Sequence, residues 1–259
     1  MASPESPSAV AGFDRAVTAP PVRRLPLVLL LALAACTSDG PADDPAVHVP
    51  ASPVADSSTA VDESASDSLT VVFFGDSLTA GYGLDGGASE AYPALVGARL
   101  AEAGLAARVV NAGVSGETSA GGRTRVGWVV RRSLPDVFVL ALGANDGLRG
   151  VDPAATEANL AAIFEAVAEA APDARLVLLG MEALPNYGAD YTSRFRAIFP
   201  SVADAAGAAL VPFFLDGVAG VRALNQPDGV HPTAEGQRRI ADTVAPAVLA
   251  AAREAASEA

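Results

Sequence analysis

The sequence predicts an α/β protein, a three-layer sandwich of helices packed on a five-stranded parallel sheet. Three observations lead there. Short apolar runs alternate five times with amphipathic stretches of helical period. The runs are continuous and rich in Val, Leu and Phe, as strands covered on both faces require. No internal repeat or second core-sized stretch interrupts the alternation, so one sheet accounts for the whole folded part. The first strand is expected at Leu69 to Phe74, followed by a helix over roughly 91 to 103. Ala107 to Val110 reads as the second strand, and a helix at roughly 120 to 133 leads to the third strand at Val137 to Leu142. A helix from about 154 to 170 places Leu160, Ile163, Phe164 and Val167 on one stripe before the fourth strand at Leu176 to Gly180. The next stripe, Phe195, Ile198, Phe199 and Val202, precedes a fifth strand at Ala209 to Phe214. The last helix starts near Thr233, with Glu235 close by, and carries Ile240, Val244 and Val248.

Composition narrows the chemistry. The 259 residues include seventeen basic ones, all Arg and none Lys. Phosphate loops, Schiff bases and other mechanisms that need a Lys amine are therefore excluded. One Cys and two His exclude a disulfide framework and a Cys/His zinc cage. A hydrophobic fraction of 51% against 18% charged residues is enough to bury a full core. The net charge of −13 argues against a nucleic-acid partner, because phosphate binding needs a basic patch, and an anionic membrane surface would repel the chain as a whole.

Three segments follow one another along the chain. Residues 1–36 read as an export signal: Arg23 and Arg24 precede an eleven-residue apolar run, too short to span a bilayer, which ends at Leu33-Ala34-Ala35-Cys36. That tetrapeptide resembles a bacterial lipobox, which implies lipidation at Cys36 and an exported, membrane-anchored protein facing the periplasm or the exterior. The competing reading is an ordinary signal peptide with an incidental Cys. Residues 37–68 contain seven acidic residues and no basic one, and are expected to form a disordered acidic tether. Residues 69–259 form the folded domain, expected to be monomeric. His48 falls in the tether, which leaves His231 as the domain's single imidazole.

In doubly wound sheets ligands sit beyond the carboxyl ends of the strands. Four polar, Gly-containing loops fall on that rim. They are Gly75-Asp76-Ser77-Leu78-Thr79-Ala80-Gly81-Tyr82-Gly83, Asn111-Ala112-Gly113-Val114-Ser115-Gly116-Glu117-Thr118-Ser119, Gly143-Ala144-Asn145-Asp146-Gly147, and Asp228-Gly229-Val230-His231-Pro232 before the last helix. Acyl transfer needs a hydroxyl activated by a base and a group that orients the base. Ser77, at a strand-to-helix turn, is the candidate nucleophile. The same position suits a helix N-cap serine, a common fate for Ser after a strand, and on the residue alone that reading prevails. His231 is the candidate base by elimination, and Asp228, three residues earlier, can share a turn with it and fix its tautomer; each could also be an ordinary turn residue.

In order and context the four loops resemble the sequence blocks of the GDSL esterases, or SGNH hydrolases, from about residue 70 to the end of the domain. Ser115 to Ser119, Gly143 to Gly150 and Leu184 to Gly188 look like the thioesterase, arylesterase and lysophospholipase subgroup. The resemblance implies a flavodoxin-like SGNH hydrolase fold and a serine esterase that hydrolyses carboxylic ester or thioester bonds of small acyl or lipid substrates, without a cofactor or metal. It points to Ser77, Asp228 and His231 as the triad, and to the backbone N–H groups of Ser77 and Gly116 and the amide of Asn145 as the oxyanion hole. Asp76 and Asp146 are read as structural acceptors of local N–H groups. Leu78, Tyr82, Leu148 and the loop with Leu184, Pro185 and Tyr187 are candidates for an apolar acyl groove, with loop packing as the competing role. Arg149 could meet an anionic leaving group, and Trp128 and Met181 are expected in the core. Two other functions stand beside this one: a carbohydrate deacetylase of the same superfamily, and a non-catalytic binding lipoprotein of the cell surface.

Overall fold

The computed structural model of the protein describes residues 68–258. The stretches read as an export signal and an acidic tether, with Cys36, lie outside the described residues, Ser68 excepted. Five strands, β1 (Leu69–Gly75), β2 (Ala107–Gly113), β3 (Val137–Ala141), β4 (Arg175–Leu179) and β5 (Ala209–Val211), form one parallel sheet in the order β2-β1-β3-β4-β5. The central strands β1 and β3 are buried along their whole length. The edge strands are not: β2 is half-buried and β5 is buried only at Val211. An apolar run therefore marks a strand but not coverage on both faces.

Seven helices connect and flank the strands: α1 (Ser77–Ala80), α2 (Tyr92–Glu102), α3 (Ser119–Ser133), α4 (Ala144–Arg149), α5 (Pro153–Ala170), α6 (Gly188–Ala206) and α7 (Ala234–Glu258). α2 packs on α7, and α3, α5 and α6 pack in series, which gives the helical layers on the two faces. The apolar stripes of α5, α6 and α7 are buried, as their 3.6-residue period requires. α3 approaches the sheet closely through Gly122, where a Cβ would fall 2.3 Å from Leu142 and 3.0 Å from Phe74.

Some boundaries differ from the sequence reading for physical reasons. β2 continues to Gly113 because Asn111, Ala112 and Gly113 stay in register with Phe73, Phe74 and Gly75. β5 stops at Val211, before Pro212, which has no N–H to give to a ladder. The sequence gives no bounds for the short helices α1 and α4, since four to six residues are too few to show a period. Trp128 lies outside the core: it is 63% exposed on α3, with the Arg132 guanidinium 5.7 Å from its ring centre.

Candidate active site

The strand order reverses direction between β1 and β3, and such a switch point leaves a crevice at the carboxyl ends of the strands. The loops after β1, β2 and β3 meet there. Asp76, not Ser77, caps α1: its Oδ1 accepts the N–H of Leu78 at 3.0 Å. Ser77 is thereby the first helical residue, its backbone N–H has no intrahelical acceptor, and its hydroxyl is free for another partner.

That partner arrives from the loop before α7. His231 Nε2 lies 3.0 Å from Ser77 Oγ, and His231 Nδ1 lies 2.7 Å from Asp228 Oδ2. A carboxylate only accepts, so Nδ1 carries the proton and Nε2 is left to accept from the hydroxyl. Asp228 Oδ1 also accepts the N–H groups of Val230 and His231 at 2.9 and 3.0 Å. These bonds, that of the His231 backbone foremost, hold the Asp228 carboxyl down at about 2. Gln226, which the sequence reading missed, closes the loop: its amide donates to the carbonyls of Tyr82 and Pro232, and its backbone N–H donates to that of His231. The Tyr82 ring rests 4.6 Å from the imidazole.

Gly116 and Asn145 face the same crevice. Gly116 sits at φ +80° in the Val114 to Glu117 turn, a conformation that favours glycine. Asn145 lies in the first turn of α4, which Gly143 opens at φ +119°. One of its two amide N–H groups donates to Asp76 Oδ2 at 3.3 Å. Burial pushes the Asp76 carboxyl up to about 7 despite the bonds from Leu78 and Asn145 and the nearby His231. Asp146 reaches well beyond its own loop. It accepts the Ser119 N–H and hydroxyl at 2.8 and 2.5 Å and the Thr156 hydroxyl at 3.3 Å, joining α4 to the starts of α3 and α5.

These groups open into a groove of about 550 Å³ with mainly apolar walls. Leu78, Tyr82, Leu148 and Leu184 line it. Pro185 and Tyr187 do not: the Tyr187 hydroxyl donates to the Leu148 carbonyl and its ring covers Gly150, so it supports the wall from behind. Arg149 also lies outside the lining, donating to the Gly116 carbonyl at 3.1 Å. Met181, expected in the core, is 6% exposed and yet forms part of the wall with Phe213 and Leu215. Met181 and Phe213 closely follow β4 and β5, so the rule that ligands sit beyond strand ends was the signal for them. Among the described residues no cluster of His, Cys, Asp or Glu could hold a metal.

A hydroxyl, an imidazole and an amide gathered over an apolar groove at the switch point of a parallel sheet are the parts of a hydrolase that works by acyl transfer. The chain belongs to the GDSL-like lipase/acylhydrolase family, whose model matches residues 73–239. It is 43% identical over 177 residues to the esterase TesA of Pseudomonas aeruginosa, covering 68% of this chain and 86% of that protein. It is 38% identical over 176 residues to the thioesterase 1/protease 1/lysophospholipase L1 of Escherichia coli, covering 68% and 81%. Among solved structures it is similar to AlinE4, an SGNH-hydrolase family esterase, with 43% identity, a TM-score of 0.59 and coverage of 70% and 95%. The protein is thus an enzyme that hydrolyses ester bonds, with the SGNH fold.

Proposed function

We propose that the protein is an exported, lipid-anchored esterase of acyl lipids that works through a Ser77-His231-Asp228 triad. The observation that carries the reading is the continuous relay from Ser77 Oγ through His231 to Asp228, at 3.0 and 2.7 Å, inside an apolar groove. Ser77 Oγ attacks the ester carbonyl as its proton passes to His231 Nε2, and the ionised Asp228 stabilises the imidazolium. The backbone N–H groups of Ser77 and Gly116 and the second N–H of Asn145 receive the oxyanion. His231 then protonates the departing alcohol or thiol, and water attacks the acyl-enzyme by the same route. The groove walls of Leu78, Leu148, Met181 and Leu184 suit an acyl chain rather than an acetylated sugar. The relatives named esterase and thioesterase/lysophospholipase favour the same substrates. Anchoring rests on the sequence around Cys36 and on the acidic stretch that follows it; no described helix is long and apolar enough to cross a membrane.

The test is labelling with a fluorophosphonate, followed by peptide mapping. Ser77 is the expected site, and Ser77→Ala and His231→Ala should each lose about 10³-fold or more in kcat on p-nitrophenyl esters. Near-wild-type turnover by folded Ser77→Ala would place the nucleophile elsewhere.

A further inference from the structure

Arg125, on α3, touches neither the groove nor the relay, yet its guanidinium joins three segments of the site. Its Nη2 donates to the carbonyl of Ala112 at 2.8 Å and to that of Gly75 at 3.3 Å. Its Nε donates to Glu117 Oε1 at 2.7 Å, and Nη2 also pairs with Glu117 Oε2. The guanidinium carbon lies 3.9 Å over the Phe74 ring. The pair is largely withdrawn from water, with side-chain exposures of 22% for Arg125 and 8% for Glu117.

The positions of these acceptors matter more than their number. Gly75 is the last residue of β1, and its carbonyl immediately precedes Asp76 and Ser77. Glu117 ends the four-residue turn that carries the Gly116 N–H, closed by the bond from the Glu117 N–H to the Val114 carbonyl at 3.2 Å. The first residue of that turn, Val114, donates its own N–H to the same Gly75 carbonyl at 2.9 Å. Both ends of the turn are therefore fastened to the peptide that leads into Ser77, one directly and one through Arg125. An oxyanion donor is useful only if its distance from the nucleophile is fixed before the charge develops. A planar guanidinium pairs side-on with both oxygens of a carboxylate through two nitrogens while one of them also reaches the carbonyls, a fixed fork that the single nitrogen of an ammonium does not offer.

We propose that Arg125 and Glu117 are positioning residues that set the Gly116 N–H against Ser77 in the transition state. This rests on the reading of Ser77 as nucleophile and Gly116 as oxyanion donor. The experiment compares wild type, Arg125→Met, Arg125→Lys, Glu117→Gln and Ser77→Ala in the full chain. It measures kcat and KM on a short soluble p-nitrophenyl ester, the rate of Ser77 phosphonylation by a fluorophosphonate, and thermal melting. A displaced donor should lose less than a deleted one, so Arg125→Met is expected to fall about 10- to 100-fold in kcat with KM unchanged. Phosphonylation should slow in parallel. Guanidinium ion at roughly 20 mM should restore part of the Arg125→Met activity by refilling the slot between Glu117 and the carbonyls, and should leave Arg125→Lys unimproved.

Wild-type kcat in folded Arg125→Met overturns the proposal, as does a loss confined to KM. Should Arg125→Met fail to fold, Arg125→Lys and Glu117→Gln decide, and wild-type kcat and phosphonylation in both overturn it equally. Ser77→Ala separates the two layers of the argument. Activity retained there refutes the reading of the site itself, whereas an inactive Ser77→Ala beside a fully active Arg125→Met refutes only the clamp.

Discussion

Replacing Asp76 by Asn should remove a pH dependence of stability that the buried carboxyl imposes on the fold. Asp76 is 1% exposed, and burial lifts its carboxyl from an ordinary 3.8 to about 7. Between those values the unfolded chain has released the proton and the folded chain keeps it. The folded state then binds more protons, and stability falls as pH rises. The contribution is fully present below about pH 4 and gone above about pH 7. Its size follows from the displacement: at about 1.4 kcal/mol per pH unit it comes to roughly 4 kcal/mol, a large share of the ~5 to 15 kcal/mol that hold a domain together.

Asp228 acts in the opposite direction and outside this window. Its carboxyl is held at about 2, so what it adds to stability is present above about pH 4 and lost as pH falls through 2. Urea unfolding followed by far-ultraviolet circular dichroism from pH 4 to 8 therefore isolates Asp76. A His231→Gln background removes the only imidazole among the described residues. The expected result is a wild-type unfolding free energy that declines by several kcal/mol across the window and an Asp76→Asn profile that lacks this decline. Parallel profiles would refute the reasoning, whatever the absolute stability of the variant.

The remaining predictions are briefer. Asn145→Ala should lower kcat about 10²- to 10³-fold with KM little changed, since its donor matters most in the transition state; steady-state kinetics decide, and a rise in KM alone would make it a ground-state contact. Asp228→Asn should lower kcat/KM while leaving the melting temperature near neutral pH within a few degrees, because the residue is exposed and serves mainly to hold the His231 tautomer. Gly122→Ala should destabilise by about 1 to 3 kcal/mol in urea unfolding, because the new methyl would meet Leu142 at 2.3 Å. Cys36→Ser should move activity from the membrane fraction to the soluble one with turnover of a soluble ester unchanged, and intact-mass spectrometry of the membrane-extracted enzyme should find a lipidated Cys36 at its N-terminus.

How much of this was legible beforehand depended on whether a signal was local. β1 and β3 could be read directly, because a strand with no exposed face has no reason to alternate. The edge strands looked similar in sequence, and only their neighbours in the sheet distinguish them. Asp228 and His231 were readable as a pair because one turn holds both, and Ser77 because it closely follows the first strand. Asp76 was read as a local acceptor, which it is, but its bond to Asn145 crosses 69 residues and left no trace. Trp128, expected in the core, lies on the face of α3 that meets water, which only the packing of that helix decides. Arg125 escaped altogether, since its meaning lies in the ends of two strands and a turn that only the fold brings together.

Gln237 binds the backbone N–H of Tyr92 at 2.9 Å and the carbonyl of Leu78 at 3.3 Å, while His231 meets Ser77 across 154 residues. Strands β1 to β3 and Ser77 are thus encoded early and His231 late. A polypeptide that emerges from the ribosome amino end first can pair its central strands, β1 and β3, long before residue 231 exists. On the proposed reading of Ser77 and His231, a chain whose α7 has not yet docked against α2 holds its nucleophile without its base. On refolding, activity should then recover with the docking of the last helix rather than with the formation of the sheet.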